Sequence, residues 1–480
     1  MSILVVDIGT SGVRSAVVRP DASIALEHRE EVLPDTPAPG LVEFDPTRLA
    51  SAALATARSV LEAAGPVDAV GIANQRASTI VWDRSSGQPV APGLGWQDLR
   101  TLGDCLVLQA EGLRFAPNQS ATKISHILDA VDPDRARDLC IGTVDSWIAW
   151  TLTDGARNVT DPSNAAVTGL FSVETLDWDD ALLERLRVPR SAMPAIVDSS
   201  GPIAPATALP GAPPICGIAG DQQASLLGQG CTGPGPAKIT FGTGGMLDLV
   251  TGPDAPTSAA RSASGTFPIV AWKRGNETVW GLEAIMLSAG TNVEWLRDDL
   301  GISDSVASSH DIAQDCDDTD GVVYVPALLG LGTPRWDYGA RGTLLGITRG
   351  TGRPHIVRAV LEGVAQRGAD LVDAAEAATG LPIPTLRIDG GMSANPTFTQ
   401  ALADATQRVV EVSPVLEATT LGAAFLAGLS VGTWSDWNDV SATWQPQRSI
   451  EPTGPSNRER WAEAIERAAG WHADLSAFDF

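Results

Sequence analysis

The residues ILVVDIGTSGVRSAVV, Ile3–Val18, decide the fold of this chain. Two apolar runs flank a short glycine-rich segment, which predicts a strand, a tight turn and a second strand. The residues KITFGTGGMLDLV, Lys238–Val250, repeat this pattern about half the chain later. Each copy carries a G-T-x-G turn, Gly9–Gly12 in the first and Gly242–Gly245 in the second. We interpret them as one hairpin used once in each half, with two unrelated hairpins as the alternative.

Helical and strand patterns alternate outside the two hairpins. Pro46–Ala64 and Pro354–Ala378 have the apolar spacing of helices, whereas Val67–Ala73 and Thr385–Ile388 have the composition of short strands. This alternation predicts an α/β architecture.

The 480 residues are enough for two or three domains. The Pro-, Gly- and Ala-rich segment Ser199–Pro214 is expected to be a linker. A second cluster of Gly and Pro near Gly230–Pro236 indicates the boundary between domains at 1–230 and 231–480. Ser456–Leu475 is predicted to form a terminal amphipathic helix.

Composition excludes several classes of function. A net charge of −25 would repel nucleic acid and anionic membranes. No apolar run approaches the roughly 20 residues that span a bilayer, and Asp7 interrupts the N-terminal apolar stretch, unlike a secretory signal. Five cysteines without a C-x-x-C pair favour a reducing cytoplasm over a zinc site or disulfides.

Familiar catalytic motifs are absent or misplaced. No lysine follows a glycine, as a Walker A loop requires. The G-x-G-x-x-G at Gly228–Gly233 follows a helical pattern, and the G-x-S-x-G at Gly428–Gly432 ends one, so a helix C-cap is the expectation there. The acidic segment Asp315–Gly321 has Asp320 where a calcium loop needs glycine, so we interpret it as a solvated face.

The glycine-rich turns point to a nucleotide. Backbone N–H groups in such turns can approach phosphate oxygens closely, and Thr10 and Thr243 add hydroxyl donors. Asp7, at the end of an apolar strand, suits Mg²⁺ held through water. Asp389–Gly391 leaves room for a flat ring against the backbone. One phosphate turn in each half implies a nucleotide clamped between two lobes.

Further stretches follow in one order from residue 3 to about residue 432: GIANQRASTIVWD, GWQDLRT, SATKISHILDAV, GTVDSWIAWTLTDG, GIAGDQQASLLGQG, VYVPALLGLGTPRWDYGARGTLLGITRGT, LRIDGGMSAN and LEATTLGAAFLAGL. With the two hairpins, they resemble the FGGY carbohydrate kinases, and within them the glycerol kinase group. The superfamily also includes heat-shock chaperone ATPases and actin. The resemblance implies a two-domain actin-like (ribonuclease H-like) fold, with a mixed sheet and flanking helices in each domain and a cleft between them.

The resemblance also implies an activity: ATP-dependent phosphorylation of a hydroxyl of a small polyol or sugar, with ATP and Mg²⁺ as cofactors. Asp221, in G-D-Q-Q, matches the catalytic base and a second metal-site carboxylate beside Asp7. The alternative for Asp221 is a helix N-cap. The alternative for the chain is a non-kinase ATPase or an ATP-gated binding protein. A homodimer is left open as the assembly.

Matched positions assign the remaining roles by the same resemblance. The nucleotide set is Thr10, Ser11, Arg14, Gly242, Thr243, Gly290, Glu294, Gly391, Met392 and Asn395. The substrate set is Arg76, Ala77, Trp96, Asn118, Asp221, Gln222 and Met246.

Four matched positions depart from the family pattern. Glu294 stands in place of a glutamine near the adenine. In the substrate set, Ala77 replaces a glutamate, Asn118 a tyrosine and Met246 a phenylalanine. Loss of a hydroxyl acceptor and of two aromatic walls should change the substrate preference, because a site built to pair hydroxyls discriminates sharply. We therefore expect a polyol or ketose of four or five carbons to be preferred, with glycerol as the other candidate.

Overall fold

The computed structural model of the chain describes residues 2–303, 305 and 307–478. Strands alternate with helices throughout the first half. Its strands are β1 Ile3–Ile8, β2 Gly12–Val18, β3 Ile24–Glu31, β4 Glu43–Phe44, β5 Ala69–Asn74, β6 Ile80–Asp83, β7 Gly93–Leu94, β8 Leu139–Gly142, β9 Val159–Thr160, β10 Phe171–Ser172, β11 Asp177–Trp178, β12 Ala195–Ile196, β13 Ser200–Pro205 and β14 Pro214–Gly220. Its helices are α1 Pro46–Ala64, α2 Leu102–Ala110, α3 Ser120–Val131, α4 Val144–Leu152, α5 Pro162–Ala165, α6 Asp180–Arg185 and α7 Asp221–Gly228.

The second half alternates in the same way. Its strands are β15 Ala237–Phe241, β16 Gly245–Gly252, β17 Phe267–Arg274, β18 Glu277–Met286, β19 Val323–Val325, β20 Thr343–Leu345, β21 Thr385–Asp389, β22 Val409–Val412 and β23 Arg448–Ile450. Its helices are α8 Thr291–Asp298, α9 Ser308–Gln314, α10 Arg353–Thr379, α11 Pro396–Thr406, α12 Ala418–Val431, α13 Trp437–Ala442, α14 Arg458–Ala468 and α15 Ala473–Ser476.

Each half is organised around one large mixed sheet. Among the described residues, the first sheet has the order β13–β14–β5–β1–β2–β3 and the second β17–β18–β16–β15–β21–β22–β23. Strand β1 pairs antiparallel with β2 and parallel with β5, and β15 pairs in the same way with β16 and β21. The interpretation of one hairpin used once in each half is confirmed, as is the α/β prediction.

Local sequence explains the central elements. Apolar β1 is buried apart from Asp7, as expected of a central strand covered on both faces. Helix α1 begins where the Asp45 side chain accepts the N–H of Thr47 and Pro46 takes the first turn, and it ends before Gly65. No helix within the described ranges has the combined length and hydropathy that crossing a bilayer requires.

Two predictions about secondary structure are wrong. The expected linker Ser199–Pro214 contains β13, which pairs with β14 as an edge strand. Proline and glycine are tolerated there because an edge strand leaves some N–H groups unpaired. The expected terminal helix is two helices, since α14 ends near Ala468 and Gly470 takes a left-handed φ of 66° before α15.

Helices α7 and α12 join the two halves through a contact between their backbones. A Cβ on Gly422 would lie 1.8 Å from the carbonyl oxygen of Ala224, and a Cβ on Gly228 would lie 1.8 Å from that of Ala418. Helix α12 also crosses onto the first sheet, where a Cβ on Gly71 would lie 2.4 Å from the Ala423 carbonyl oxygen. Only glycine permits this approach, so the glycines determine how the halves are assembled.

We expect Gly422→Ala to lower the free energy of unfolding by about 1–3 kcal/mol, because the new methyl group must push two helix backbones apart. Urea unfolding measures the effect. The matched control is Gly103→Ala in α2, where an added Cβ meets nothing within 4 Å and helix propensity favours alanine. Equal unfolding midpoints for the two variants would contradict the close contact.

Candidate active site

Carboxylates of both halves gather where α7 and α12 begin. Asp7 lies on β1, and its Oδ2 accepts a hydrogen bond of 3.3 Å from the Thr420 hydroxyl at the start of α12. Burial raises the pKa of Asp7 to about 6, Arg14 opposes that rise, and the nearby Asp221 carboxylate adds to it. Strand β1, which leads into the first turn, therefore places Asp7 near Asp221, a residue at the end of the first half.

Asp221 is the first residue of α7, and Gly220 occupies the N-cap position. The N-cap alternative for Asp221 is therefore wrong. Its side chain keeps 32% exposure, enough for contact with a ligand. Burial raises the pKa of Asp221, and the guanidinium of Arg76 opposes this rise. Arg76 Nε lies 3.5 Å from Asp221 Oδ1.

Arg76 joins the two halves at this point. Its Nη2 donates a 2.6 Å hydrogen bond to Glu283 Oε2 on β18, while its Nε faces Asp221. The Glu283 and Asp221 carboxylates both raise the pKa of Arg76 against the effect of burial, so the guanidinium stays charged. Arg76 therefore places a fixed cation beside Asp221 and ties it to Glu283 of the second half.

Gln222 follows Asp221 on α7 and makes contact with the second sheet. Lys238 Nζ donates to Gln222 Oε1 at 2.7 Å and to Thr240 Oγ1 at 3.1 Å. The same ammonium lies 2.7 Å from Asp248 Oδ2, and both side chains of this ion pair are fully buried.

Hydrogen bonds hold Trp96 and its loop at the first turn. Its indole N–H donates to the Thr10 hydroxyl at 3.1 Å. The buried Lys123 donates to the carbonyl oxygens of Gly95 at 2.7 Å and Trp96 at 3.2 Å, which holds the loop in place. Burial lowers the pKa of Lys123 to about 7.

The three substituted substrate positions differ in their settings. Ala77 follows Arg76 with a left-handed φ of 61° and is buried, and its carbonyl accepts a 2.9 Å hydrogen bond from Ser120. Asn118 is exposed in the loop before α3. Met246 is half-buried on β16, in register with Thr240.

The second turn is built from close glycine contacts. The N–H of Gly290 donates to the Gly242 carbonyl at 2.8 Å, and that of Ala289 donates to Thr243 at 2.8 Å. A Cβ on Gly290 would lie 2.6 Å from the Gly242 oxygen. Gly390 has a φ of 85° and packs as closely on Phe241. The exposed Thr243 is thus presented by a turn that two other segments support.

The remaining nucleotide-set positions differ in their exposure to solvent. Gly391 and Glu294 are exposed, whereas Met392 is buried in the core of the second half. Asn395 accepts the N–H of Phe398 as the cap of α11 and donates to Ser309 at 2.9 Å, so its side chain already has structural partners.

The first turn differs from the second in that a side chain next to it forms an ion pair with the second half of the chain. Ser11 is exposed and Thr10 is half-buried at its tip. Arg14, on the outgoing strand, is ion-paired with Glu417 from the start of α12. This pair, like the bond between Asp7 and Thr420, connects the first hairpin to the second half of the chain.

Four charged residues at this site, Lys238, Asp248, Glu283 and Glu417, were not predicted from the sequence as site residues. A signal was available for three of these residues. Lys238, Asp248 and Glu283 are charged residues within the apolar strands AKITF, GMLDLVTG and ETVWGLEAIM. A charge in the middle of a buried strand requires a partner, and here the partners are each other, Arg76 and Gln222.

Comparison with known proteins agrees with this arrangement. The N-terminal domain model of the FGGY family of carbohydrate kinases matches residues 2–228, and the C-terminal domain model matches residues 237–431. A glycerol kinase of Aromatoleum aromaticum is 41% identical, covering 98% of this chain and 99% of the relative. Glycerol kinase 2 of Thermotoga maritima is 40% identical over 98% and 99%.

Among solved structures, Plasmodium falciparum glycerol kinase with ADP superposes with a TM-score of 0.90 at 28% identity, covering 97% of this chain and 98% of that one. Two family models together match most of the chain, and relatives at about 40% identity span nearly all of it. The chain belongs to the FGGY family of carbohydrate kinases, ATP-dependent phosphotransferases.

Proposed function

We propose that this kinase phosphorylates a hydroxyl of a small polyol with Asp221 as the general base. The observation that carries the proposal is the state of Asp221. Its carboxylate is accessible, its pKa is raised by burial, and Arg76 holds it from one side. A raised pKa makes an ionised carboxylate a better proton acceptor, and the Arg76 guanidinium favours the ionised form.

The reaction needs few groups from the protein. As the polyol oxygen forms its bond to the γ-phosphorus, its proton passes to Asp221, and the bond between the γ-phosphorus and the bridging oxygen of ADP breaks. Arg76 and Trp96 are proposed to hold the polyol. Thr10, Ser11, Arg14, Gly242, Thr243, Gly290, Glu294 and Gly391 are proposed to surround the nucleotide. Met392 and Asn395 are buried, so they are proposed to belong to the nucleotide site as supporting residues.

A magnesium ion fits the carboxylates present. Asp221 is near enough to Asp7 for its carboxylate to disfavour ionisation of Asp7, a repulsion that a divalent cation would relieve. No group of three or more ligating side chains occurs among the described residues. Magnesium prefers one or two carboxylates with water and phosphate oxygens, so these two would hold it and it would neutralise phosphate charge.

Two observations bear on the identity of the polyol. The relatives are named glycerol kinases, which makes glycerol the first candidate. Ala77, Asn118 and Met246 favour a second candidate, a polyol or ketose of four or five carbons, because they leave more room and one carboxylate fewer than the family pattern. We also propose that the domains are residues 1–230 and 231–480, which would place Asp221 at the end of the first domain.

Replacing Asp221 tests the general base. We expect Asp221→Asn to lower kcat by about 10²–10⁴-fold, because an amide cannot take the proton of the hydroxyl. The affinity for ATP should stay within about threefold. ADP release with and without polyol measures turnover and separates a kinase from an ATPase that needs no acceptor. Turnover near the wild-type rate in the variant would contradict the assignment.

The pH profile tests the state of the two carboxylates. Burial raises the pKa of Asp7 to about 6 and raises that of Asp221 as well. Both must be ionised for activity, so we expect kcat/KM to fall as the pH decreases through about 6, the raised pKa of Asp7, and the raised pKa of Asp221 to shift the acid limb in the same direction. Subsaturating ATP and polyol are used so that the profile reports the free enzyme. A limb centred near 4, the range of a solvated aspartate, would show that burial has no such effect.

A substrate panel separates the two polyol candidates. If the wider pocket decides, kcat/KM for erythritol, ribitol, ribulose or xylulose should exceed that for glycerol by about 10-fold or more, since a missing hydroxyl partner costs about 1–3 kcal/mol. The variant A77E/N118Y/M246F should then shift the preference towards glycerol. Glycerol as the best substrate of the wild type would mean that the three replacements are tolerated by a glycerol site.

A further inference from the structure

Three adjacent strands of the second sheet place charged residues side by side. Lys238 on β15 is in register with Asp248 on β16, and Asp248 is in register with Glu283 on β18. Lys238 and Asp248 are fully buried, and the Glu283 side chain is 7% exposed. Glu283 holds Arg76, which faces Asp221, so one end of this row is already part of the proposed site.

The ammonium of Lys238 makes two hydrogen bonds and one ion pair. It donates to Gln222 Oε1 and to the Thr240 hydroxyl, and its third neighbour is Asp248 Oδ2 at 2.7 Å. An ammonium only donates. The atom of the Gln222 amide that lies 2.7 Å away must therefore be the oxygen, and this chemistry determines the orientation of the amide.

Stability alone does not account for this pair. Burying two charges costs more than their attraction returns unless further hydrogen bonds satisfy them. Neither carboxylate oxygen of Asp248 accepts a well-formed hydrogen bond from the described residues, and burial raises the pKa of Asp248 against the effect of Lys238. An apolar pair of similar volume would serve the fold equally well or better.

We propose that Lys238 and Asp248 are positioning residues that fix the Gln222 amide with its NH₂ group towards the cleft. Gln222 is half-buried, and its Nε2 donates to none of the residues that the structure describes. Asp248 serves to neutralise the lysine that holds the amide oxygen. The inference rests on the proposed polyol kinase activity and assigns a specificity role to a pair outside the pocket.

With the amide fixed, Asp221 and Gln222 would offer a polyol hydroxyl one hydrogen-bond acceptor and one donor side by side. Asp221, when ionised, only accepts hydrogen bonds, and the fixed Gln222 amide offers only its donors. Hydroxyl groups both donate and accept, so a polyol can satisfy the two neighbours at once. A ligand that presents only acceptors, such as a carboxylate, would leave Asp221 facing a like charge. The pair therefore favours neutral polyhydroxy substrates over acidic ones.

The test replaces both charges together, since removing one would leave the other buried and uncompensated. In K238M/D248V the Gln222 amide is free to turn, and we expect KM for the best polyol to rise about 3- to 10-fold, the effect of one hydrogen bond. We expect kcat to change less than about threefold. The thermal midpoint should equal or exceed that of the wild type, whereas a purely structural pair would lower it.

A double-mutant cycle shows whether the pair acts through Gln222. In a Q222A background, K238M/D248V should produce no further rise in KM. The matched control is R408M/E376M, which removes a half-buried ion pair where β22 begins, at the edge of the sheet away from the turns, and should leave KM unchanged.

The outcomes separate the two proposals. A wild type that phosphorylates no polyol overturns the proposed function and this inference with it. Two results with an active wild type would overturn the inference alone. One is a KM for K238M/D248V equal to that of the wild type, and the other is a rise in KM from K238M/D248V that adds to the rise from Q222A.

Discussion

The contact between helices α7 and α12 is the constraint on which the rest of the structure depends. Each helix follows a parallel strand of its own half and packs against the other half, and glycine at Gly228 and Gly422 lets the two backbones touch. Because Asp221 begins α7 and Thr420 lies in the first turn of α12, this one contact also sets where Asp7 and Asp221, the proposed active-site carboxylates, come together. The contact that joins the two halves therefore also positions the proposed active-site carboxylates.

Charged residues are concentrated between the two halves near α7 and α12, and burying them costs folding stability. Asp7 and Asp221 are both buried enough that their pKa values rise, and Arg76 and Arg14 partly offset the effect. Ion pairs between the halves, Arg76 with Glu283 and Arg14 with Glu417, replace contacts that apolar side chains could have made. Buried charge of this kind is typical of functional sites, where reactivity has been retained over optimal packing.

The family fold extends over the whole chain, whereas the proposed determinants of the substrate are three single positions. Relatives at about 40% identity cover nearly the whole chain, and a glycerol kinase structure superposes on it with a TM-score of 0.90. Ala77, Asn118 and Met246 come from a left-handed loop position, an exposed loop and a strand of the second sheet. Substitution at such positions leaves the scaffold intact, which is why one fold serves many polyols and sugars.

Much of this protein was determined by local sequence. The hairpins, α1, α10 and the helix after Gly220 follow from apolar spacing, caps and glycine turns, and the resemblance identified Asp221, Arg76 and the turn residues. Edge strand β13 was mistaken for a linker, since proline and glycine mean either a loop or a sheet edge until the neighbouring strand is known. The partners of Arg76, Arg14 and Gln222 were also beyond the sequence. Glu283 and Glu417 lie far along the chain from Arg76 and Arg14, and Lys238, only 16 residues after Gln222, lies on a different sheet from the strand that precedes α7. Only the packing of two sheets and two helices brings these groups within bonding distance.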